Sequence, residues 1–253
     1  MNKKIIRFLV IVIGVIVIVA AANITMRNLV VSKVIIEINY RSSDHIIVRK
    51  DIERLIVSRF GNIDRKKRKE IDVEEIEKYL GSQNMIETAN VFLTLTGKLY
   101  IKIEQNIPLL RIYCVDGKEF YIDYNAEVCN TRKGRAANVL VVNGDFEEKL
   151  EAGKVIDSTR EPVTYNVYKI ARNLASREIL ANQIDQIYYS KKDGFELLPK
   201  VGDYVISLGG MNDLDKKLNK LVYLYKDGFM KYGWDEYSHI DLQFKNQAIC
   251  TKK

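Results

Sequence analysis

The chain has 253 residues, with 40 Lys plus Arg against 33 Asp plus Glu, a formal charge of +7 and a pI near 9.1. At 47% hydrophobic and 29% charged it is equipped to bury a core, which excludes a disordered polyampholyte. Three prolines and fourteen glycines exclude collagen-like and low-complexity sequence.

The basicity is local. Residues 1–33 hold Lys3, Lys4, Arg7, Arg27 and Lys33 and no acid, which is +5. The run Arg65-Lys66-Lys67-Arg68-Lys69 adds another +5, leaving 7 − 10 = −3 for all other residues. A basic face spread over a folded domain is therefore not supported, and no nucleic-acid partner is expected. The 65–69 run reads as a solvated loop between two helices, with contact to anionic lipid or cell-wall polymer as the alternative.

From Ile5 to Ile24 only Arg7 and Asn23 interrupt an apolar stretch. Twenty residues at about 1.5 Å rise span about 30 Å, the hydrocarbon thickness of a bilayer. The stretch is apolar on every side, unlike the single stripe of a water-soluble helix. A transmembrane helix over 5–26 is predicted, after a tail of residues 1–4. Lys3, Lys4 and Arg7 place that tail in the cytoplasm and the remainder outside, in a single pass. Ala20-Ala21-Ala22 also offers an A-x-A cleavage pattern, so a removed signal peptide is the rival; the full spanning length favours retention.

Downstream, Val34, Ile36 and Ile38 alternate with Ile35, Glu37 and Asn39 as a strand. Ile52, Leu55, Ile56 and Phe60 form a helical stripe stopped by Gly61. Asp72 and Glu75 open a second helix, which Gly81 ends. A hairpin follows: Ala89, Val91, Leu93 and Leu95 on one arm, Thr96-Gly97-Lys98 as the turn, Leu99, Ile101 and Ile103 on the other. This β-α-α-β-β unit takes residues 33–107. Pro108, which lacks an amide donor, marks the boundary to a second, strand-rich unit over 108–253.

In that second unit strands are expected at 110–115, 119–124, 139–143, 184–189, 195–199, 204–208, 238–244 and 247–251. Two helices are expected, over 164–180 and 212–226. The fold class is α+β. Cys114, Cys129 and Cys250 are odd in number, so they form no complete disulfide framework. Cys114 and Cys129 are placed to meet across strands, although isolated buried thiols are the more ordinary arrangement.

Leu99-Tyr100-Ile101-Lys102-Ile103-Glu104-Gln105-Asn106-Ile107-Pro108 resembles the strand, acidic residue, spacer and Pro of the FtsQ/DivIB cell-division proteins. Leu208-Gly209 with Lys216-Lys217-Leu218 resembles that family's glycine and lysine-leucine pattern, and Ile240-Asp241-Leu242-Gln243-Phe244 its terminal strand. Gln243 departs from the family's usual Arg, and Leu109-Leu110-Arg111 from its small residue after Pro. The resemblance implies a POTRA domain followed by a β domain, and no enzymatic activity. It implies a scaffold in the inner membrane at the division septum, recruiting FtsB- and FtsL-like single-pass partners and contacting other divisome components. The family's FtsB site corresponds here to Gln243, Phe244, Gln247, Ala248, Ile249, Cys250 and Thr251, where an edge strand is suited to strand addition.

The residues themselves point away from catalysis. The two histidines, His45 and His239, lie far apart, and neither G-x-S-x-G nor C-x-x-C is present. Gly209-Gly210 lacks a phosphate-binding context, so no cofactor is expected. Acid pairs such as Glu147-Glu148 are adjacent rather than facing, and read as solvated surface rather than as glycoside chemistry. The alternatives are an extracytoplasmic enzyme acting on cell-wall polymer and a POTRA-bearing secretion or assembly factor.

Overall fold

The computed structural model describes residues 11–18, 28–132, 134–229, 233 and 236–253. The expected tail 1–4 and most of the expected transmembrane helix 5–26 lie outside these residues. Residues 11–18 are helical with exposed side chains. Among the described residues no helix is long and apolar enough to cross a membrane. The chain divides into two compact units, Met1–Gln105 and Asn106–Lys253.

In the first unit the order is β1 (Lys33–Asn39), α1 (Arg49–Phe60), a 3-10 turn (Arg68–Glu70), α2 (Val73–Gly81), β2 (Ile86–Leu93) and β3 (Lys98–Gln105). The sheet order is β1-β3-β2, with β3 central, parallel to β1 and antiparallel to β2. Period-two alternation makes β3 the spine: Leu99, Ile101 and Ile103 are buried, while Lys98 and Lys102 are exposed. Ile52 and Ile56 of α1 and Ile76 and Leu80 of α2 supply the other buried layer. Asp72 caps α2, its carboxylate accepting from the Glu74 and Glu75 amides. Leu95, expected on the inward face, is 70% exposed, because β2 ends at Leu93 and the turn begins at Thr94.

Gln105 closes this unit from the end of β3. Its buried Oε1 accepts from the Ile46 and Ile47 amides at 2.8 and 3.0 Å, and its Nε2 donates to Asp44 O at 2.7 Å. One amide side chain thereby satisfies a loop that would otherwise bury unpaired backbone groups.

The second unit holds β4 (Pro108–Tyr113), β5 (Glu119–Asp123), β6 (Val128–Asn130) and β7 (Leu140–Gly144). Next come α3 (Pro162–Ala175), α4 (Glu178–Gln183), β8 (Ile184–Ser190), β9 (Gly194–Pro199) and β10 (Val205–Gly209). The chain closes with α5 (Leu214–Tyr223), a π-turn (Leu224–Gly228), β11 (Tyr237–Asp241) and β12 (Ile249–Lys252). All nine strands make one sheet in the order β12-β11-β10-β9-β8-β7-β4-β5-β6. The pairs β4–β7, β7–β8 and β10–β11 are parallel. Ile112, Ile122, Val142, Ile187, Leu197, Ile206 and Ile240 form one core with Val167, Ile170 and Leu174 of α3 and Leu218 and Leu221 of α5.

Three expectations are corrected. The strand expected over 110–115 runs instead over Pro108–Tyr113, opening on the proline at a place that needs no ladder donor. The helix expected over 164–180 breaks into α3 and α4. Arg177 between them is extended (φ −118°, ψ 100°), and its guanidinium donates to Asn173 O, Asp215 Oδ1 and Asn219 Oδ1. The described part of this unit therefore carries three α-helices, not two. Glu148, read as solvated surface, caps α3: its two oxygens accept from the Val163 and Thr164 amides at 2.7 and 2.8 Å. Cys114, Cys129 and Cys250 are free thiols.

Around the π-turn lies an aromatic cluster of Tyr204, Tyr225, Phe229 and Tyr237, with Tyr204 Oη donating to Tyr225 Oη at 3.1 Å. Burial raises both phenols, Tyr225 strongly, above the ordinary value of 10.0. The unfolded chain ionises first, so this stability is complete below pH 10.0 and is lost as pH rises past it. The expected result is a urea midpoint that falls on the alkaline side of that value and falls less in Tyr225→Phe.

A candidate partner-binding edge

β12 is the terminal strand of the nine-stranded sheet, paired on one side to β11 alone. The register places Ile249 opposite Asp241, Cys250 opposite Ile240 and Thr251 opposite His239. The Lys253 amide donates to Glu236 O at 3.2 Å. Backbone groups alternate in direction along a strand, so Ile249 and Thr251 also face β11. The N–H and C=O of Cys250 and the N–H of Lys252 point away from it, as an open template for another strand, while Lys252 O accepts from Ser238 Oγ of β11 at 3.3 Å. Side chains split the other way: Cys250 packs on the core, whereas Ile249 (40% exposed) and Thr251 stand on the opposite face.

The sequence-predicted residues fall in two places. Ile249, Cys250 and Thr251 lie in β12, while Gln243, Phe244, Gln247 and Ala248 lie in the loop before it. The strand expected through Phe244 stops at Asp241, whose Oδ1 accepts from the Gln243 amide at 2.8 Å. That Asx turn takes the chain out of the ladder. Phe244, 46% exposed, stands on the loop instead of in the core.

A lysine that sequence reasoning passed over shapes this loop. Lys220 on α5 sends its ammonium to Leu242 O (2.8 Å), Phe244 O (2.5 Å) and Gln247 O (3.0 Å). Three carbonyls converging on three ammonium donors wind residues 242–247 around one cation. Lys217, one turn earlier and 3% exposed, donates to Leu208 O and Gly210 O at 2.8 Å each. The glycine and lysine-leucine words of the sequence are thus one physical unit, a helix lysine tied to the end of β10. Burial lowers the pKa of both lysines, with Lys220 adding to the effect on Lys217 and Asp213 and Asp241 opposing it on each.

Gly209 completes the seat. Its φ is +64°, and a Cβ there would stand 2.4 Å from Gln243 Oε1, so only glycine leaves room for that side chain. Where the family usually has Arg, this chain has a side chain whose amide lies over Gly209.

The structure also brings together a pair that sequence separates. Ser207 Oγ and His239 Nε2 lie 2.9 Å apart across β10 and β11, and Ser207 Oγ donates to Glu196 Oε1 at 3.3 Å. The carboxylate meets the hydroxyl, not the second imidazole nitrogen, so the orientation logic of a catalytic triad is missing. Ser207 is 6% exposed and the cluster ties β9, β10 and β11 together. Among the described residues no group of three or more His, Cys, Asp and Glu is arranged to hold a metal.

A nine-stranded mixed sheet, preceded in the chain by a three-stranded β-α-α-β-β unit, is an α+β architecture of two units. In comparisons with known proteins, residues 107–251 match the family described as FtsQ/DivIB, C-terminal related. Residues 29–104 match the POTRA-like domain. The first match covers more than half of the chain, which therefore belongs to the FtsQ/DivIB family. This is a non-enzymatic cell-division family, and the domains mark a cell-division scaffold. No curated protein matches the chain significantly.

Proposed function

We propose that this chain is a membrane-anchored scaffold of the division septum that recruits FtsB- and FtsL-like single-pass partners by strand addition to β12. The anchor is the apolar stretch 5–26, which confines the folded units to the extracytoplasmic face of the inner membrane and raises the effective concentration of partners anchored alongside. The observation that carries the reading is the edge position of β12: Cys250 presents its backbone donor and acceptor, and Lys252 its donor, to whatever strand arrives. Main-chain pairing supplies affinity, and Ile249, Thr251 and Phe244 supply alternate side chains for selection.

Lys252→Pro tests it. Proline deletes one outward donor and thrusts a ring toward the incoming strand, yet the replaced side chain is exposed. Recovery of the FtsB-like chain in co-purification from membranes is expected to drop about tenfold, consistent with losing one to two backbone bonds. Lys252→Ala, which keeps the amide, retains most of the recovery. Equal recovery with proline and alanine removes the edge from the mechanism. Ile249→Pro is the wrong probe, because that amide faces β11 and its loss opens the hairpin itself.

A further inference from the structure

The basic run has a place in the fold that its composition does not reveal. Residues Leu29–Val31, just beyond the apolar stretch, are laced to it: Arg68 N donates to Leu29 O (2.8 Å), Val31 N to Lys66 O (2.9 Å) and Arg65 N to Val31 O (3.1 Å). Val30 and Lys67 form an antiparallel bridge. On the other flank Ser32 N donates to Gly97 O at 2.8 Å, bringing the β2–β3 turn to the same end. The end of the POTRA-like unit where the chain enters is therefore ringed by the 65–69 loop and by Leu95, Lys98 and Lys33, the last two paired in register.

We infer that this end is a lipid-contact surface that takes the phosphate of anionic phospholipid headgroups. The inference rests on the reading of residues 5–26 as a bilayer anchor. Leu29 stands three residues past position 26, within about 11 Å of it at full extension. That is close to one Debye length of about 8 Å at physiological salt. Arg65, Lys67, Arg68 and Lys69 are exposed, and among the described residues none of them forms an ion pair. Lys66 is spent on Phe60 O, and the loop 64–70 keeps a surplus of 5 − 2 = +3 over Asp64 and Glu70. Apolar side chains lie among the cations: Leu95 at the turn is 70% exposed and Val30 43%. A soluble anionic polymer has no use for them, whereas a headgroup layer over acyl chains takes both kinds of group.

The full chain, reconstituted in nanodiscs of phosphatidylcholine alone or mixed with phosphatidylglycerol, is treated with an acetylating reagent, and labelling is followed by mass spectrometry. Lys67 and Lys69 are expected to react roughly fivefold more slowly in the anionic discs. High salt restores their rate, while exposed Lys192 stays constant as reference. Equal rates in both discs, with the chain retained, overturn the lipid surface and leave the anchor standing. A chain that does not stay with the discs overturns both. Protection in neutral discs caused only by added poly(glycerol phosphate) also overturns the lipid assignment, in favour of a wall-type polymer.

Discussion

Gly144→Ala is expected to destabilise the nine-stranded sheet by about 4 kcal/mol, the sum of left-handed backbone strain and forced overpacking. Gly144 ends β7 at φ +130°, and a Cβ there would stand 2.0 Å from Tyr189 O and 2.8 Å from Tyr189 C and N. All three atoms are backbone of the neighbouring strand β8, so no rotamer relieves the contact. The strands must separate, in a region where Asp145 N donates to Tyr189 O and Phe146 is buried just beyond. For a unit of this size the thermal transition of Asn106–Lys253 falls by roughly 10 °C, and that of Met1–Gln105 keeps its midpoint. Gly117→Ala is the comparison. Its φ is +80°, but nothing lies within 4 Å, so strain acts alone and the loss is about 1 kcal/mol. Calorimetry that finds the two variants alike removes the close β7–β8 approach from the account.

The first unit was legible because its signals are local. The capping Asp72, the alternation of β3 and the Thr96-Gly97 turn each act within a few residues, so period and punctuation place every element of the β-α-α-β-β order. The second unit depends on contacts far apart in sequence, and there reading by period fails in identifiable ways. Ile240, Leu242 and Phe244 alternate as a strand should, and Leu242 is indeed buried, yet the chain leaves the ladder at Asp241. The Asx turn of Asp241 takes it out, and the loop beyond is held by a cation some twenty residues earlier on α5, invisible to any window of alternation. Three residues of β6 are too short to register as a period, and the break at Arg177 is made by partners on another helix. For the candidate edge, position near the chain end was readable. Which amides face outward was not, because register decides that.

Lys220→Met follows from that distant cation and separates its two roles. Methionine nearly matches the lysine stem in length and keeps its packing, but offers no donor, so the carbonyls of Leu242, Phe244 and Gln247 lose their common partner. Charge-assisted bonds are worth roughly 1.5–3 kcal/mol each before re-solvation. Phe244 and Gln247 are exposed and their carbonyls turn to water, so a net loss of about 2 kcal/mol is expected, falling chiefly on Leu242. Amide exchange of residues 243–248 accelerates by one to two orders of magnitude, about what that loss permits for local opening. Exchange in β8 and β9 does not change, since the core face of α5 is untouched. Lys220→Arg is intermediate, because a planar fork does not meet three carbonyls converging on one point. A loop that exchanges at its original rate in Lys220→Met would show that the clamp contributes nothing to its order. If the loop loosens and the FtsB-like chain still binds fully, the partner reads β12 alone, and Gln243, Phe244 and Gln247 drop out of the binding surface. If binding falls with loop order while Lys252→Pro also weakens it, loop and strand act as one preorganised edge, and α5 holds it in shape from behind.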